Sequence, residues 1–503
     1  MNTLLVLPLL VPLATAAATI LLARSPRAVR TASFAGAAAS LGAAVALLGA
    51  TRDGTILVTQ AGAWEAPFGI SLVADRFAAA MVLVAALLLA AVVVSSIRGL
   101  DGARERAGYH PLLHVLSMGV SGAFLTGDLF NLYVWFEVML MSSFVLVSLG
   151  GERAQLQGAL KYVVLNLVSS ALFLAGAGLL YGSIGTLNMA GAAVALRELP
   201  AQGLPSVVAS LFLLAFGIKA AAFPLFFWLP ASYHTPPMPV AALFAGLLTK
   251  VGVYALVRVL TLVFVRDTAF TGPLLLAVAA LTMVTGVLGA MAQGDVRKIL
   301  SFHIVSQIGY MLMGLGLGTR LALAGTVFYV LHHIVVKANL FLVAGAMRRA
   351  GGSFSLEKLG SLLARSPLLA AAFLVPAVSL AGLPPLSGFW AKYLLVRAGL
   401  EAGNGTIVAV ALAVSLLTLF SMTKIWNEAF WKPAPAGAGA APAPLSAAER
   451  ASLLGPVLVL GAITVAIGLG AGVLYRFADA AAAQLLDPEL YVRAVLGARG
   501  GGT

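Results

Sequence analysis

Apolar residues in this chain fall in long, nearly uncharged runs rather than in the alternating or one-face patterns of soluble strands and helices. Runs of roughly 20 residues recur from end to end, bounded by charge, glycine or proline, each long enough to cross about 30 Å of hydrocarbon. They predict fourteen helical segments, at 3–23, 31–50, 73–97, 110–126, 129–149, 158–182, 205–228, 238–263, 273–292, 297–317, 321–348, 367–397, 405–430 and 453–475. The chain is therefore expected to be an all-α polytopic membrane protein. The first run does not read as a cleaved signal: Met1-Asn2-Thr3 carries no positive charge, and Arg24, Arg27 and Arg30 follow the apolar stretch. It is expected to stay as an anchor.

Composition agrees and narrows the chemistry. Of 503 residues, 61% are hydrophobic and 10% charged, where soluble proteins approach a quarter charged. With no cysteine, thiolate-held iron–sulfur clusters, c-type haem and disulfides are excluded, and no cofactor or metal is expected. A net charge of +13 would suggest nucleic acid in a soluble protein, but here much of the excess borders apolar runs, so the expected partner is the bilayer. Sixteen of the 31 lysines and arginines follow odd-numbered segments, from Arg24 to Arg450, and eight follow even-numbered segments or lie in the tail. Basic loops stay cytoplasmic, which predicts a cell-membrane protein with both termini on the outer face. Pro433 to Pro444, all Pro, Ala and Gly, reads as a flexible cytoplasmic linker. Nothing outside the membrane is long enough for a catalytic domain.

The remaining seven basic residues lie within apolar segments: Arg76, Lys161, Lys219, Lys250, Arg258, Lys337 and Lys392. The two arginines sit near segment ends and Lys161 near a cytoplasmic end. Five of the nine lysines are in segments, and the enrichment matters because a desolvated lysine releases its proton whereas arginine does not. Lys219 and Lys250 flank a charge-free turn and fall roughly 14–18 Å from one face, near the bilayer midplane. Glu137, about 12 Å into its helix, is the one acid well inside a segment. Glu137, Lys219, Lys250, Lys337 and Lys392 together represent roughly 13–18 kcal/mol of insertion cost, which rivals a domain's net stability. The plain alternative is a static Glu137–lysine pair locking helices while other lysines snorkel. The functional reading is a switch: Lys219 beside Glu137 holds its proton, and weakening that contact passes the proton toward Lys250.

Histidines extend this path. His333 lies four residues before Lys337 on one helical face, and His332 sits beside it; packing is the alternative role for both. His234, in the turn after the seventh segment, is a candidate for proton uptake from the cytoplasm, and His303 could serve similarly. His110 and His114 are expected on solvated surface. Pro224 breaks the seventh segment, and Pro384 and Pro385 break the twelfth. Such matched interruptions point to a transporter built from inverted repeats.

Gly127-Asp128-Leu129-Phe130-Asn131-Leu132-Tyr133-Val134-Trp135-Phe136-Glu137, Leu247-Leu248-Thr249-Lys250-Val251-Gly252-Val253-Tyr254, Asp295-Val296-Arg297-Lys298-Ile299-Leu300 with Ser306-Gln307-Ile308-Gly309-Tyr310, and Ala381-Gly382-Leu383-Pro384-Pro385-Leu386-Ser387-Gly388-Phe389 resemble the antiporter-like subunit superfamily. That superfamily includes membrane-arm subunits of NADH:quinone oxidoreductase (complex I) and large subunits of Mrp-type multisubunit Na+/H+ antiporters. The likeness runs from about residue 70 to 430 and is strongest to the Mrp D type. It implies fourteen helices, two inverted five-helix repeats with broken helices 7 and 12, a hydrated charged axis, and partner subunits in a hetero-oligomeric complex. It also matches Glu137, Lys219, Lys250, His333 and Lys392 to the family's ionisable positions. Val335-Val336 departs from the aromatic pattern common in complex I. The expected organisation is 1–109 (three helices), 110–263 (first repeat), 273–430 (inverted repeat), 431–452 (linker), and 453–503 (last helix and tail).

The expected function is proton translocation within a monovalent cation (Na+)/proton antiporter, a transporter subunit rather than an enzyme. A proton-pumping subunit of complex I or a related hydrogenase is the alternative; a scaffold of static charges and an organic-solute symporter are the others.

Overall fold

A computed structural model describes residues 3–199, 203–435 and 443–497. Each expected segment contains a helix. We number them α1 (Thr3–Leu21), α2 (Pro26–Ala50), α3 (Arg76–Gly99), α4 (Tyr109–Leu125), α5 (Leu129–Ser148), α6 (Arg153–Ile184), α7 (Leu204–Ala220), α8 (Met238–Arg258), α9 (Thr268–Met291), α10 (Val296–Leu317), α11 (Arg320–Gly351), α12 (Pro367–Ala381), α13 (Ser387–Glu401), α14 (Gly405–Trp426), α15 (Gly455–Leu469), α16 (Ala471–Leu485) and α17 (Pro488–Leu496). Among the described residues, eleven helices are long and apolar enough to cross a membrane, and α7 and α12 are shorter apolar pieces. The chain is a multi-pass helical membrane protein. Its centre is α8 and α11, whose apolar windows are buried almost throughout, whereas α1, α2 and α6 leave most of theirs uncovered. Glycine allows the tightest crossings, as helix packing in lipid favours: a Cβ on Gly286 of α9 would collide with the Ser306 backbone nitrogen of α10.

Polar side chains set the helix starts. Asp75 accepts a hydrogen bond from the Ala78 N–H, Asp128 from Asn131, and Asp295 from Arg297, each satisfying an otherwise orphaned donor. Two of these starts share a further device. Leu129 N–H donates to Leu187 O and Met189 N–H to Gly127 O; in the same relation, Val296 N–H donates to Phe354 O and Leu356 N–H to Gly294 O. Five helices, α5 to α9, lie between the two starts in sequence.

The predicted breaks are also alike. α7 ends at Ala221 (φ 61) and α12 at Gly382 (φ 90), both left-handed. Ala222 N–H then reaches Gly217 O and Leu383 N–H reaches Val378 O, closing each end in a Schellman arrangement. The chain turns through Pro224, or through Pro384 and Pro385, before helix resumes at Trp228–Ser232 and at α13. A third matched pair is a π-helical turn, at Val259–Val263 after α8 and at Asn427–Trp431 after α14.

Three features depart from expectation. Between α2 and α3 a short antiparallel hairpin forms, β1 (Leu57–Gln60) with β2 (Ser71–Ala74), inside a stretch without a strand-length apolar pattern. The tail is helical, with α16 and α17 following a kink at Gly470. His110 and His114 are buried, not solvated: Ser33 Oγ lies 2.9 Å from both rings, and Glu105 bridges His110 to Arg30. Of the expected linker, residues 436–442 lie outside those described. Its flanks are tethered, Ala434 N–H to Ser361 Oγ and Arg349 to Ala443 O, and helix begins again at Ala447, earlier than the expected 453.

Candidate ion-translocation site

α5, α8, α10, α11 and the broken helices carry the predicted ionisable groups, and the breaks set the depth of the outer two lysines. Lys219 occupies the last turn of α7, held there because Gly252 of α8 lies against the break: a Cβ at Gly252 would fall 2.6 Å from Ala220 N and 2.9 Å from the Lys219 carbonyl carbon. Lys219 Nζ sits 5.4 Å over the Phe136 ring, and Glu137, the next residue, accepts a short hydrogen bond from the Ser170 hydroxyl. The two side chains are electrostatic neighbours, but among the described residues no ion pair joins them. The tight Glu137–Lys219 contact that the sequence suggests is therefore loosened here, with serine and an aromatic face in its place. Both are half-buried.

The middle of the row is buried, and among the described residues no ion pair reaches it. Lys250 is fully buried, and its Nζ donates to the Ala245 carbonyl at 2.5 Å. Lys337, also fully buried, has no hydrogen-bond partner among the described residues, and neither nitrogen of His333 has one. Lys250, His333 and Lys337 lie within electrostatic range of one another. Beyond them His332 Nδ1 meets Ser387 Oγ at 2.8 Å, just past the second break, and Lys392 Nζ donates to Ala381 O and Ser415 Oγ, each at 3.0 Å, over the Tyr310 ring. Pro224, Pro384 and Pro385 thus do what the sequence implies, interrupting helices beside Lys219 and Lys392.

His303, which the sequence offered as a possible proton-uptake residue, is buried at the row, bonded to Ser421 and within electrostatic range of Lys337 and Lys392. Other members were not singled out as candidates from sequence. Gln307 accepts from the Tyr329 hydroxyl, while its amide nitrogen, Thr249 Oγ1, Ser306 Oγ and both ends of Asn339 are buried without hydrogen-bond partners among the described residues. The Ser306-Gln307-Ile308-Gly309-Tyr310 motif was the available signal, since four of these five positions line this row or its closest helix crossing. Buried polar atoms left unpaired cost about 1–3 kcal/mol each, so such a run is stable only when water satisfies it.

His234 lies apart from the row, half-buried, with Nδ1 2.8 Å from Pro230 O. Its neighbours Thr235, Pro237 and Met238 line a cavity of about 590 Å³ at the ends of α3, α8 and α11, bordered by Arg98, Arg104, Arg297, Arg348 and Arg349. At its edge, although burial alone would raise it, hydrogen bonds from Arg297 hold the Asp295 carboxyl below the usual carboxylate range.

Residues 126–418 match the family model described as "NADH:quinone oxidoreductase/Mrp antiporter, TM". Over 496 residues, covering 99% of this chain and all of the relative, the chain is 46% identical to the D-type subunit of an Na(+)/H(+) antiporter from Alkalihalophilus pseudofirmus. The chain belongs to the NADH:quinone oxidoreductase/Mrp antiporter family. It is likewise 42% identical to the Na(+)/H(+) antiporter subunit of the same type from Bacillus subtilis, again over 99% of this chain and all of that one. Among solved structures it is similar to a chain of the Mrp complex from Dietzia sp. DQ12-45-1b, with a TM-score of 0.93 and 35% identity over 99% of this chain and 100% of that one. A chain of respiratory complex I from Thermus thermophilus gives a TM-score of 0.82 at 26% identity, over 96% of this chain and 100% of that one. The family match contains every lysine and histidine of the row together with Glu137.

Proposed function

We propose that this chain is the proton-conducting subunit of a multisubunit Na+/H+ antiporter, passing protons along Glu137, Lys219, Lys250, His332, His333, Lys337 and Lys392. The observation that carries the reading is the chemistry of the row: four buried or half-buried lysines, none in an ion pair among the described residues, strung between unpartnered histidine, amide and hydroxyl groups. A lysine held by a carboxylate keeps its proton, and one surrounded by carbonyls, rings and water exchanges it. Proton transfer then runs from Lys219, when Glu137 turns to Ser170, to Lys250, through His333 and Lys337, and on to Lys392.

The matched starts, breaks and π turns support the reading of 110–263 and 273–430 as inverted repeats, since each recurs at nearly constant spacing with an odd number of passes between. The arginine-bordered cavity beside His234 is the proposed place of proton uptake, on the cytoplasmic side that the basic loops imply, which puts both termini outside the cell membrane. The 46% identity along the whole chain to the Alkalihalophilus pseudofirmus antiporter subunit favours the antiporter over a redox-driven pump.

Everted vesicles carrying this chain with its partner subunits test the proposal, energised by a substrate that bypasses any NADH-linked pump. Adding Na+ is expected to collapse the ΔpH in wild type, and not in Lys219→Ala or Glu137→Ala complexes that assemble normally. No Na+ response in wild type, with an NADH-driven gradient that needs this chain, would select the redox pump.

A further inference from the structure

α8 carries a second polar stripe beyond Lys250. Tyr254 and Arg258 follow at four-residue steps, one face of the helix, which places Arg258 about 12 Å from Lys250 toward the face that holds the hairpin and the tail. Arg258 is 5% exposed, yet it does not snorkel outward. Its Nη1 pairs with the buried Asp75 carboxylate at 2.7 Å, and its Nη2 donates to the Tyr254 hydroxyl at 2.9 Å, which in turn donates to Phe124 O. The guanidinium lies between two rings, 5.3 Å from Tyr254 and 5.3 Å from Tyr491 of α17. α17 is itself fastened, by a Glu489–Arg197 ion pair and by a fit so close that a Cβ on Gly127 would approach the Tyr491 hydroxyl to 2.8 Å.

A packing role alone does not account for this cluster. The matching π turn after α14 is preceded by Trp426, which stacks on Phe373 and Phe430 with no buried charge. The turn therefore forms without a guanidinium, and a buried ion pair is a poor source of stability beside an apolar replacement. What arginine supplies is chemical. A proton wire needs groups that accept one proton and release another; arginine has five donors, no acceptor and a proton it does not release.

We propose that Asp75 and Arg258 form a proton seal at the tail-bearing end of the axis, Arg258 being a donor-only stop beyond Lys250 and Tyr254, with Tyr491 as its lid. Asp75, whose carboxylate would otherwise offer an acceptor within reach of the stripe, is occupied by the Arg258 guanidinium. Protons on Lys250 are then directed sideways to His333 and Lys337. The proposal rests on the proton-axis reading and deepens it.

The test imposes a ΔpH on vesicles containing the whole complex, without Na+, and follows its decay. Arg258→Gln frees Asp75 and is expected to leak severalfold faster than wild type. Arg258→Gln combined with Asp75→Asn removes the freed acceptor and is expected to restore a slow decay, which general loosening of the fold would not do. Tyr491→Ala is expected to leak, and Tyr491→Phe, which keeps the ring, to stay tight. Wild-type decay in assembled Arg258→Gln overturns the seal, as does a double variant that leaks like the single one. Where Arg258→Gln does not assemble, wild-type decay in Tyr491→Ala overturns it. Na+-driven collapse of ΔpH is read in the same vesicles, so failure of the antiport reading registers in wild type and failure of the seal registers in the variants.

Discussion

At the helix ends, Arg30 meets Glu105 at 2.6 Å, Arg297 meets Asp295 at 2.8 Å, Arg349 meets Glu449 at 2.7 Å and Arg258 meets Asp75 at 2.7 Å. Along the middles, Lys250 and Lys392 hydrogen-bond carbonyls and a hydroxyl, and Lys337 has no hydrogen-bond partner among the described residues. The rim uses arginine with carboxylates, a pairing that fixes geometry and never changes charge. The middle of the axis uses lysines in no ion pair among the described residues, an arrangement that is expensive when charged and therefore responsive to small changes around it. Position along the helix separates fixed charges, which hold geometry and, at Arg258, stop protons, from exchangeable charges, which carry them.

Lys337→Met breaks this contrast most sharply. It is expected to abolish Na+-driven proton movement while leaving the melting temperature of the solubilised complex unchanged or higher, because an uncompensated buried charge is removed; a fluorescence melt beside a transport assay reads both. Arg258→Ala is its mirror image at the rim. Removing one partner strands Asp75, with an expected loss of about 3–5 kcal/mol in denaturant unfolding. Gly252→Ala sharpens the comparison by moving an axis lysine without touching its charge: the added Cβ meets Ala220 N, at a cost of about 1–3 kcal/mol, and slower antiport is expected with the complex intact. The smallest effect is at Arg30, whose hydrogen bonds hold the Glu105 carboxyl below its ordinary value. A depressed carboxyl stabilises the fold above its unfolded pKa, and that contribution is lost as pH falls through the folded value. Arg30→Ala is thus expected to cost up to about 1 kcal/mol at neutral pH and to flatten the acid limb of a pH–stability profile.

Much of this was legible in the chain. Uninterrupted apolar runs located the helices, because lipid demands length and admits few charges, and Pro224, Pro384 and Pro385 located the breaks. The row of lysines was visible for the same reason: in an apolar segment an ionisable residue stands out. What stayed hidden depends on contacts distant in sequence. Asp75 and Arg258 each look like a segment end until the fold joins them, and Tyr491 sits in a tail whose short amphipathic helices lack a membrane-spanning signature. His110 and His114 look solvated until Ser33 of α2 covers them. His303, Gln307 and Asn339 belong to the axis only because α10 and α11 cross where they do. β1 and β2, four residues each, are too short to show alternation.

Lys219 is half-buried and adjoins Glu137, so replacing it by arginine keeps the charge while withholding the proton. In assembled complexes with Lys219→Arg, Na+ is expected no longer to collapse the ΔpH, as in Lys219→Ala. Antiport at the wild-type rate in the arginine variant would contradict this, showing that this position needs a fixed positive charge and passes no proton.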